Sequence, residues 1–313
     1  MLGHEEDNME NVGCDIGKNN LDIFFRGKYR RYENSAKGIE EFIVTYCKSE
    51  GIRVILEPSG GYERRLLRRL FENKVKVSVV NPYYVRNFAR IGKDLAKTDK
   101  IDSKMLAEYG DKMDPKVQER KEEYRFELEE LTNRRDALIE SIKEEKLRLE
   151  KEPSQMIVDS IQKHLEFLKE QIQFIEKQIE FIVEQHAKPV QEVLCSEKGI
   201  GEQTAAILLA SLPELGQANN REIAKLVGLA PMAKESGRMK AGRHIRGGRA
   251  RVRRALFMAS ISAIRSNSKV SDFYNRLKSQ GKPSFVALTA VARKLLVILN
   301  AKMRAFLAGK DFF

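Results

Sequence analysis

The stretch VGCDIGKNNLDIFFRGKYRRY, residues 12–32, decides the fold of the N-terminal part of this chain. It contains three short apolar or aromatic segments, at Val12–Ile16, Leu21–Phe25 and Lys28–Tyr32, with Gly, Lys, Asn and Arg residues between them. Connections this short join antiparallel neighbours. The stretch therefore predicts a three-stranded meander.

Helical and extended patterns alternate after the meander. Apolar residues recur at helical spacing after Ser35, which suits an N-cap, and a short apolar strand follows at Arg53–Leu56. The next predicted elements are a helix, a strand and a second helix, at Tyr62–Asn73, Lys76–Val80 and Lys100–Tyr109. A meander followed by helix–strand alternation is the element order of the ribonuclease-H-like fold. We therefore predict an α/β domain of this class at residues 11–112.

Residues 116–188 contain few glycines and many Glu, Lys and Gln residues. Apolar residues repeat there with a 3-4 spacing on both sides of Pro153, which predicts two long helices that fold back as a coiled-coil hairpin. The stronger stripe consists of Leu165, Leu168, Ile172, Ile175, Ile179 and Ile182. Such a stripe is typical of a spacer or of a dimerising stalk, and the sequence leaves both open.

Residues 190–313 form the third predicted domain, which is mostly helical and strongly basic. They hold 22 Lys/Arg against 8 Asp/Glu, while the whole chain has a net charge of +12, so the excess of cations is confined to this part. A one-sided excess of this kind indicates contact with phosphate backbones. A solvated surface and an anionic membrane are the alternatives, and the lack of a basic amphipathic helix with an aromatic face disfavours the membrane.

Several other classes of protein are excluded by composition and motif. The three cysteines, Cys14, Cys47 and Cys195, are isolated, so we expect no disulfide framework and a reducing cytoplasm. The four histidines have no cysteine partners, and the chain shows no P-loop, no signal peptide and no run of 18 apolar residues. We therefore expect no zinc site, no nucleotide-driven motor and no membrane partner.

Four acidic residues lie where a metal-dependent nucleic-acid enzyme needs them. Asp15 and Glu57 come at predicted strand ends, and Asp99 and Asp102 share one face of a predicted helix. Carboxylates brought together in this way repel one another unless a cation lies between them. Mg²⁺ prefers oxygen ligands, and two such ions can stabilise both the attacking and the leaving oxygen of a phosphoryl transfer. The alternative is that Asp99 caps its helix and Asp102 is solvated.

Two segments of the basic domain are candidates for contact with nucleic acid. Gly199-Ile200-Gly201 resembles the turn of a helix-hairpin-helix motif, whose backbone N–H groups suit a phosphate, and a plain helix–helix turn is the alternative. The second segment, residues 238–254, has no acid, and its cations favour phosphate contacts. Its basic residues are Arg238, Lys240, Arg243, Arg246, Arg249, Arg251, Arg253 and Arg254.

Ser236 stands directly before this basic run, in Glu235-Ser236-Gly237. A serine hydroxyl can attack phosphorus when neighbouring cations stabilise the phosphate oxygens. Ser236 is therefore a candidate nucleophile, and a loop serine without a chemical role is the alternative.

Taken in order, these segments resemble the DEDD-type insertion-sequence transposases, a family that includes a pilin-gene invertase and bridge-RNA-guided recombinases. The resemblance spans nearly the whole chain. The matching N-terminal segments are Gly13-Cys14-Asp15-Ile16-Gly17-Lys18, Glu57-Pro58-Ser59-Gly60-Gly61-Tyr62, Asn81-Pro82, Lys97-Thr98-Asp99-Lys100-Ile101-Asp102 and Leu106-Ala107-Glu108. The matching C-terminal segments are Gly199-Ile200-Gly201, Leu226-Val227-Gly228-Leu229-Ala230-Pro231, Glu235-Ser236-Gly237 and Arg253-Arg254-Ala255-Leu256.

The resemblance implies a Holliday-resolvase-like (RuvC-like) ribonuclease-H fold whose four acids bind magnesium. It implies that Ser236 forms a covalent bond to a DNA phosphate, and that the acids of one protomer meet the serine of another in a dimer or tetramer. It also implies a structured noncoding guide RNA that pairs with donor and target DNA. Two positions depart from the family pattern: Glu197-Lys198 stands where Ile-Pro is usual, and Arg246 stands where lysine is common.

The sequence thus predicts a magnesium-dependent DNA transposase or recombinase that acts through Ser236. Three rival functions fit parts of the same pattern. They are a hydrolytic Holliday-junction-type nuclease with the same four acids, a site-specific invertase without an RNA guide, and a basic nucleic-acid-binding scaffold without enzymatic activity.

Overall fold

The computed structural model describes residues 9–91, 98–118, 120–236, 239–245 and 247–309, with residues 232–236 and 239–244 described by their backbone alone. The chain divides into two compact units, Met1–Lys121 and Glu122–Phe313. Each unit has its own buried core.

The N-terminal unit is built on a five-stranded mixed sheet with the order β3-β2-β1-β4-β5. Its strands are β1 Glu10–Ile16, β2 Asn20–Phe25, β3 Lys28–Glu33, β4 Ile52–Leu56 and β5 Lys76–Val79. The first three strands pair antiparallel, and β4 is parallel to both β1 and β5. The predicted meander and the α/β class are therefore confirmed.

Four helices accompany this sheet in the described residues. They are α1 Ala36–Tyr46, α2 Arg64–Glu72, α3 Pro82–Ile91 and α4 Asp99–Met113. The predicted N-cap of α1 is confirmed, because the Ser35 side chain accepts a hydrogen bond from the Gly38 backbone N–H. Helix α3 was not predicted, and it starts at Pro82, where proline suits the first helical position.

Two glycines let α4 lie flat on the sheet. A Cβ atom at Gly13 of β1 would come within 1.9 Å of the Ser103 carbonyl oxygen, and one at Gly110 of α4 would come within 2.7 Å of the Asn11 side chain. Helix and strand therefore touch backbone to backbone, which no larger residue at these positions would allow. This contact fixes the start of α4 over the sheet.

The second unit begins with a helical hairpin made of α5 Glu123–Leu149 and α6 Gln155–His186. The helices run antiparallel, because Arg135 pairs with Glu176 in the middle of the hairpin and Glu145 contacts His164 nearer the connection. Pro153 lies in the connection, as predicted.

The aliphatic stripe of α6 is covered within the chain. Leu168, Ile175 and Ile179 share one buried cluster with residues of the C-terminal helices, and Ile172 and Ile182 pack against it. The stripe therefore packs within the chain against α5 and the helices that follow, and dimerisation of the hairpin stays a prediction. The hairpin and the C-terminal helices form one compact unit, and their division into separate domains stays a prediction.

The rest of the second unit is helical apart from one antiparallel strand pair. The helices are α7 Lys188–Cys195, α8 Glu202–Ser211, α9 Asn220–Val227, α10 Ala250–Ser266, α11 Ser268–Ser279 and α12 Ser284–Leu307. The strands are β6 Pro231–Ser236 and β7 Met239–Ile245. Helix α12 has the length and apolar composition of a membrane span, but Leu295, Leu296 and Leu299 are fully buried, as in a core helix.

Candidate active site

Asp15 lies near the end of β1, the central strand of the sheet. Its Cα partner on β2 is Asp22. On the other side, Cys14 is level with Leu56 of the parallel strand β4, so the register continued by one residue brings Glu57 beside Asp15. Two of the four predicted acids therefore leave neighbouring strands at the same edge, and a fifth acid faces them.

Asp99 and Asp102 lie in the first turn of α4. Thr98 is the N-cap of this helix, and its side chain accepts from the Ile101 backbone N–H, so Asp99 does not cap the helix. Carboxylates are favoured at this position, because the backbone N–H groups of a first turn carry partial positive charge. Since α4 packs on β1 through Gly13, its acidic first turn approaches Asp15.

The pKa of Asp15 reflects its burial and the acids close to it. Burial, followed by repulsion from Asp102, Asp99 and Asp22, raises the pKa of Asp15 from 3.8 to about 6. Carboxylates that raise the pKa of Asp15 by repulsion must lie close to it. The structure thus brings together three of the four predicted acids, and strand register places the fourth at the same edge of the sheet.

Asp22 is an acid that the sequence analysis missed. Its side chain is almost fully buried and accepts hydrogen bonds from the Tyr29 hydroxyl at 2.5 Å and from Arg31 Nε at 2.8 Å. Arg31 also donates to Asp99 through Nη2, at 2.7 Å. The meander register could have revealed Asp22, because a short hairpin sets it opposite Asp15.

The donor set of this site suits magnesium, which takes carboxylate oxygens. Within the described residues, however, no three His, Cys, Asp or Glu side chains stand close enough to hold an ion as they are. Arg31 holds Asp99, so this carboxylate must turn away from the guanidinium to become a ligand. The raised pKa of Asp15 is the observation that fits a cation here.

The loop after Glu57 is fixed by a single carboxylate. Glu63 accepts hydrogen bonds from the backbone N–H and the hydroxyl of Ser59 and from the Gly61 backbone N–H. Burial acts to raise the pKa of Glu63, but these hydrogen bonds outweigh it and lower the pKa. The exposed Arg64 and Arg65 follow at the start of α2, close in sequence to Glu57.

Ser236 is the last residue of β6, and its backbone pairs with Met239 of β7. The sequence analysis treated this segment as a loop, and the structure shows a strand end. Lys240 and Arg243 belong to β7 by their backbone. Arg238, Arg246 and Gly237 lie outside the described residues.

Three arginines of the basic run are bound within the chain. Arg249 donates to both carboxylate oxygens of Glu214, and the Nε of Arg251 lies 2.8 Å from Asp136 of α5. Arg253 donates to the backbone carbonyls of residues 227 and 247. Each of the three therefore has a partner within the chain, and their contact with nucleic acid stays a prediction, whereas Arg254 is exposed.

The two glycines of the predicted hairpin turn differ in their surroundings. Gly199 has a φ of +99°, and a Cβ atom there would come within 2.5 Å of Ala263 on α10, so this residue is needed for packing. Gly201 is the N-cap of α8 and faces open space. The turn does join two helices, α7 and α8, and only Gly201 leaves room for a phosphate.

Comparison with known proteins finds transposase family models that match both halves of the chain. A family model described as "Transposase IS116/IS110/IS902 family" matches residues 191–275, and a DEDD-type IS110 transposase model matches residues 12–152. The pilin gene-inverting protein of Moraxella bovis is 26% identical over 310 residues, covering 94% of this chain and 95% of the relative. The uncharacterized 43.6 kDa protein of insertion element IS110 from Streptomyces coelicolor is 32% identical over 120 residues, covering 38% of this chain and 30% of the relative.

Proposed function

Because the chain belongs to the DEDD-type insertion-sequence transposases, we propose that it is a magnesium-dependent transposase or site-specific recombinase that joins DNA through a phosphoserine intermediate. Membership of this family implies an enzyme that cuts and rejoins DNA. The observation that carries the magnesium-dependent part is the raised pKa of Asp15, which marks an acid site that a divalent cation would stabilise.

The strand order of the N-terminal unit supports a ribonuclease-H-like, RuvC-like domain. In β3-β2-β1-β4-β5, the central strand has antiparallel neighbours on one side and parallel ones on the other, which is the order of that fold. Asp15 then belongs to the central strand, Glu57 follows the next strand, and Asp99 and Asp102 begin the last helix of the unit. Acids at these positions suit phosphoryl transfer.

Asp15, Glu57, Asp99 and Asp102 would hold magnesium in this proposal. The bound cation would neutralise charge on the phosphate oxygens during the reaction. The chain's own contribution is to hold the carboxylates in place before DNA arrives. The flat packing of α4 on β1 and the Arg31 bridge between Asp22 and Asp99 both serve this positioning.

Ser236 is the proposed nucleophile. Its Oγ would form a bond to phosphorus while the bond from phosphorus to the sugar oxygen breaks, and the hydroxyl proton would leave to a base or solvent. The strand end departs with the sugar oxygen, which takes up a proton. The phosphoserine linkage preserves the energy of the broken ester, so a second sugar hydroxyl can reverse the step and join new DNA ends.

The proposed partners are DNA, a noncoding guide RNA and further copies of the chain. The basic C-terminal unit supports contact with phosphate backbones, and exposed Arg254 is a candidate for this contact. A dimer or tetramer would let the acids of one copy serve the serine of another, as the family resemblance implies. We also propose a cytoplasmic location.

Two rival functions remain as alternative outcomes. A hydrolytic junction nuclease would use the same acids to activate water, with Ser236 uninvolved. A site-specific invertase without a guide RNA is supported by the relative from Moraxella bovis, whose name states that it inverts pilin genes.

The test is a search for the covalent intermediate. Wild-type protein, magnesium, labelled DNA and RNA transcribed from the flanking DNA are incubated and resolved on a denaturing gel. We expect a protease-sensitive band of reduced mobility with wild type and no such band with Ser236→Ala. Ser266→Ala, at the exposed end of α10, is the matched control and should behave as wild type. Strand exchange by Ser236→Ala would favour the hydrolytic nuclease.

A further inference from the structure

The second unit contains a cavity where the strand pair β6–β7 meets the helices α11 and α12. Its volume is about 510 Å³, and the residues that line it come from both helices and from the outer ends of both strands. Aromatic and aliphatic side chains form most of its wall, among them Phe273, Phe285 and Val297. A cavity of this size and composition is typical of a site for a small organic group. The phosphoserine chemistry proposed above gives it no role.

Two phenylalanines give this cavity its aromatic wall. Phe285, in the first turn of α12, is 64% exposed, although its ring packs against that of Phe257 with the ring centres 5.2 Å apart. Phe273 of α11 is half-buried and packs against the core of the unit. An exposed ring that a neighbour holds in place provides a surface on which another flat ring can stack.

Three cations accompany these rings. Arg293 and Lys294 line the cavity, and Lys294 Nζ lies 4.6 Å from the centre of the Phe273 ring. The guanidinium carbon of Arg276 lies 5.4 Å from the same ring centre. Within the described part of the chain, no residue that lines the cavity is acidic, and none of the three cations forms an ion pair with a carboxylate. The positive charge at this cavity is therefore available to an anionic ligand.

Aromatic rings beside unpaired cations are the wall that an unpaired nucleobase requires. The base stacks on a ring, and the cations bind the phosphates next to it. A neutral apolar molecule or an aliphatic protein segment would fill the apolar wall but leave all three cations without an anionic partner. The combination of rings and cations therefore favours a nucleotide within a strand over these other occupants.

The position of the cavity connects it to the proposed nucleophile. Pro231 begins β6 and pairs with Ile245 at the end of β7, and both residues line the cavity. Ser236 ends β6, five residues further along the same strand. At about 3.3 Å per residue, Ser236 lies roughly 17 Å from Pro231, which is the length of about five stacked nucleotides of one DNA strand. A strand whose phosphate reaches Ser236 can therefore also reach the cavity.

We propose that this cavity binds an unpaired base of the DNA strand that Ser236 attacks. The base stacks on Phe285, and the cations of α11 and α12 hold the phosphates on either side of it. Bases that are already unpaired cost least to bring into such a pocket, and strand exchange produces them next to the cut. The anchored base keeps the strand close to Ser236 while its partner strand is exchanged.

This inference rests on the proposed function for the identity of the strand. Its tests measure DNA binding in EDTA and need no magnesium and no bond cleavage. Loss of stacking therefore leaves the covalent intermediate of Ser236 untested by these measurements and unchallenged, and absence of that intermediate leaves the binding of the base unaffected.

The first test detects stacking with the full-length protein. The probe is a single-stranded DNA octamer whose one base is 2-aminopurine, which loses fluorescence when it stacks, and whose other positions are abasic. Wild type and Phe285→Tyr should quench the probe. Phe285→Leu keeps an apolar side chain without a ring face, so it should bind roughly fivefold or more weakly and without quenching. Phe174→Leu, the same exchange at an exposed phenylalanine of α6, is the control and should match wild type. Equal quenching by wild type and Phe285→Leu would overturn the proposal.

The second test separates the base from the backbone and DNA from RNA. Lys294→Gln should reduce the slope of log affinity for the octamer against log salt by about 0.7, because one phosphate contact is lost. A fully abasic octamer should compete with the probe at least fivefold more weakly than an unlabelled copy of it. Equal competition would mean that only phosphates bind. Stronger quenching of an RNA octamer with the same single base would assign the cavity to RNA and overturn its assignment to DNA.

Discussion

The acids around Asp15 and the arginines at the start of α10 are both clusters of like charge, but they differ in how far other residues of the chain neutralise them. Arg249 and Arg251 each have a carboxylate partner within their own unit. Asp15 has neighbours of its own sign, and Arg31 binds two of these, Asp22 and Asp99. Charge that is left uncompensated costs stability, and a ligand of opposite sign recovers that cost. The acids therefore indicate a ligand more strongly than the arginines do.

The largest expected effect is the loss of catalysis when one of the acids is neutralised. Asp15→Asn, Glu57→Gln, Asp99→Asn or Asp102→Asn removes one charge without changing the size of the side chain. Each should reduce strand exchange by more than about 100-fold, because a carboxylate that positions metal stabilises charge in the transition state. Strand exchange on labelled DNA measures the loss.

Asp159→Asn, on the exposed start of α6, provides the matched control for these variants and should keep full activity. Circular dichroism should give wild-type spectra for all five proteins. Full activity of Asp102→Asn in magnesium would remove this residue from the site.

A smaller effect should distinguish two arginines of α10, one of which contributes to stability and the other to DNA binding. Arg251→Ala leaves the half-buried Asp136 without its partner, and should lower the free energy of unfolding by about 1 kcal/mol. Arg254→Ala, at an exposed position, should leave stability unchanged and reduce the slope of log affinity for DNA against log salt by about 0.7–0.9. Urea unfolding and salt-dependent DNA binding measure the two effects.

The opposite result for Arg251→Ala would mean that the arginines, like the acids, are left free for a ligand. If Arg251→Ala flattened the salt dependence and left stability intact, its guanidinium would face nucleic acid and not α5.

The smallest effect concerns the stability of the metal-free protein as pH changes. The folded-state pKa of Asp15, about 6, lies above its ordinary value of 3.8, so ionisation costs stability as pH rises from about 4 through about 6. Asp15→Asn avoids this cost. Allowing for solvent screening of a partly exposed group, it should be more stable than wild type by about 1–2 kcal/mol at pH 8.

The difference should shrink to about a few tenths of a kcal/mol near pH 3.5, where Asp15 of the wild type is protonated in the folded state and mostly protonated in the unfolded state. Urea unfolding in EDTA at both pH values provides the measurement. A variant that is less stable than wild type at pH 8 would mean that Asp15 is held by favourable contacts and not by repulsion.

Local patterns predicted the strands that carry Asp15 and precede Glu57. The strands of the meander lie within two residues of their predicted bounds, since short apolar segments and turns fix them without help from distant parts of the chain. Strand pairing then carries Asp15 and Glu57 to one edge, as predicted. Asp22 joins the acids through its pairing opposite Asp15, which its own sequence context does not show.

The partners of a side chain were harder to predict. Arg251 looks the same in sequence whether it faces solvent or Asp136, which lies 115 positions earlier in the chain. The aliphatic stripe of α6 had the right spacing for a seam, but spacing does not say which helix covers it.

A substitution at Gly13 could inactivate a copy of this gene while leaving all of its acidic residues in place. The acids of α4 reach Asp15 because β1 has no side chain at this position, where even a methyl group would meet the Ser103 carbonyl. A point mutation to alanine would push the helix away from the strand and leave every carboxylate in the sequence. A survey of genomic copies that checks only the acidic residues would then count an inactive copy as active. Gly13 should therefore be checked together with the acids when intact copies are identified.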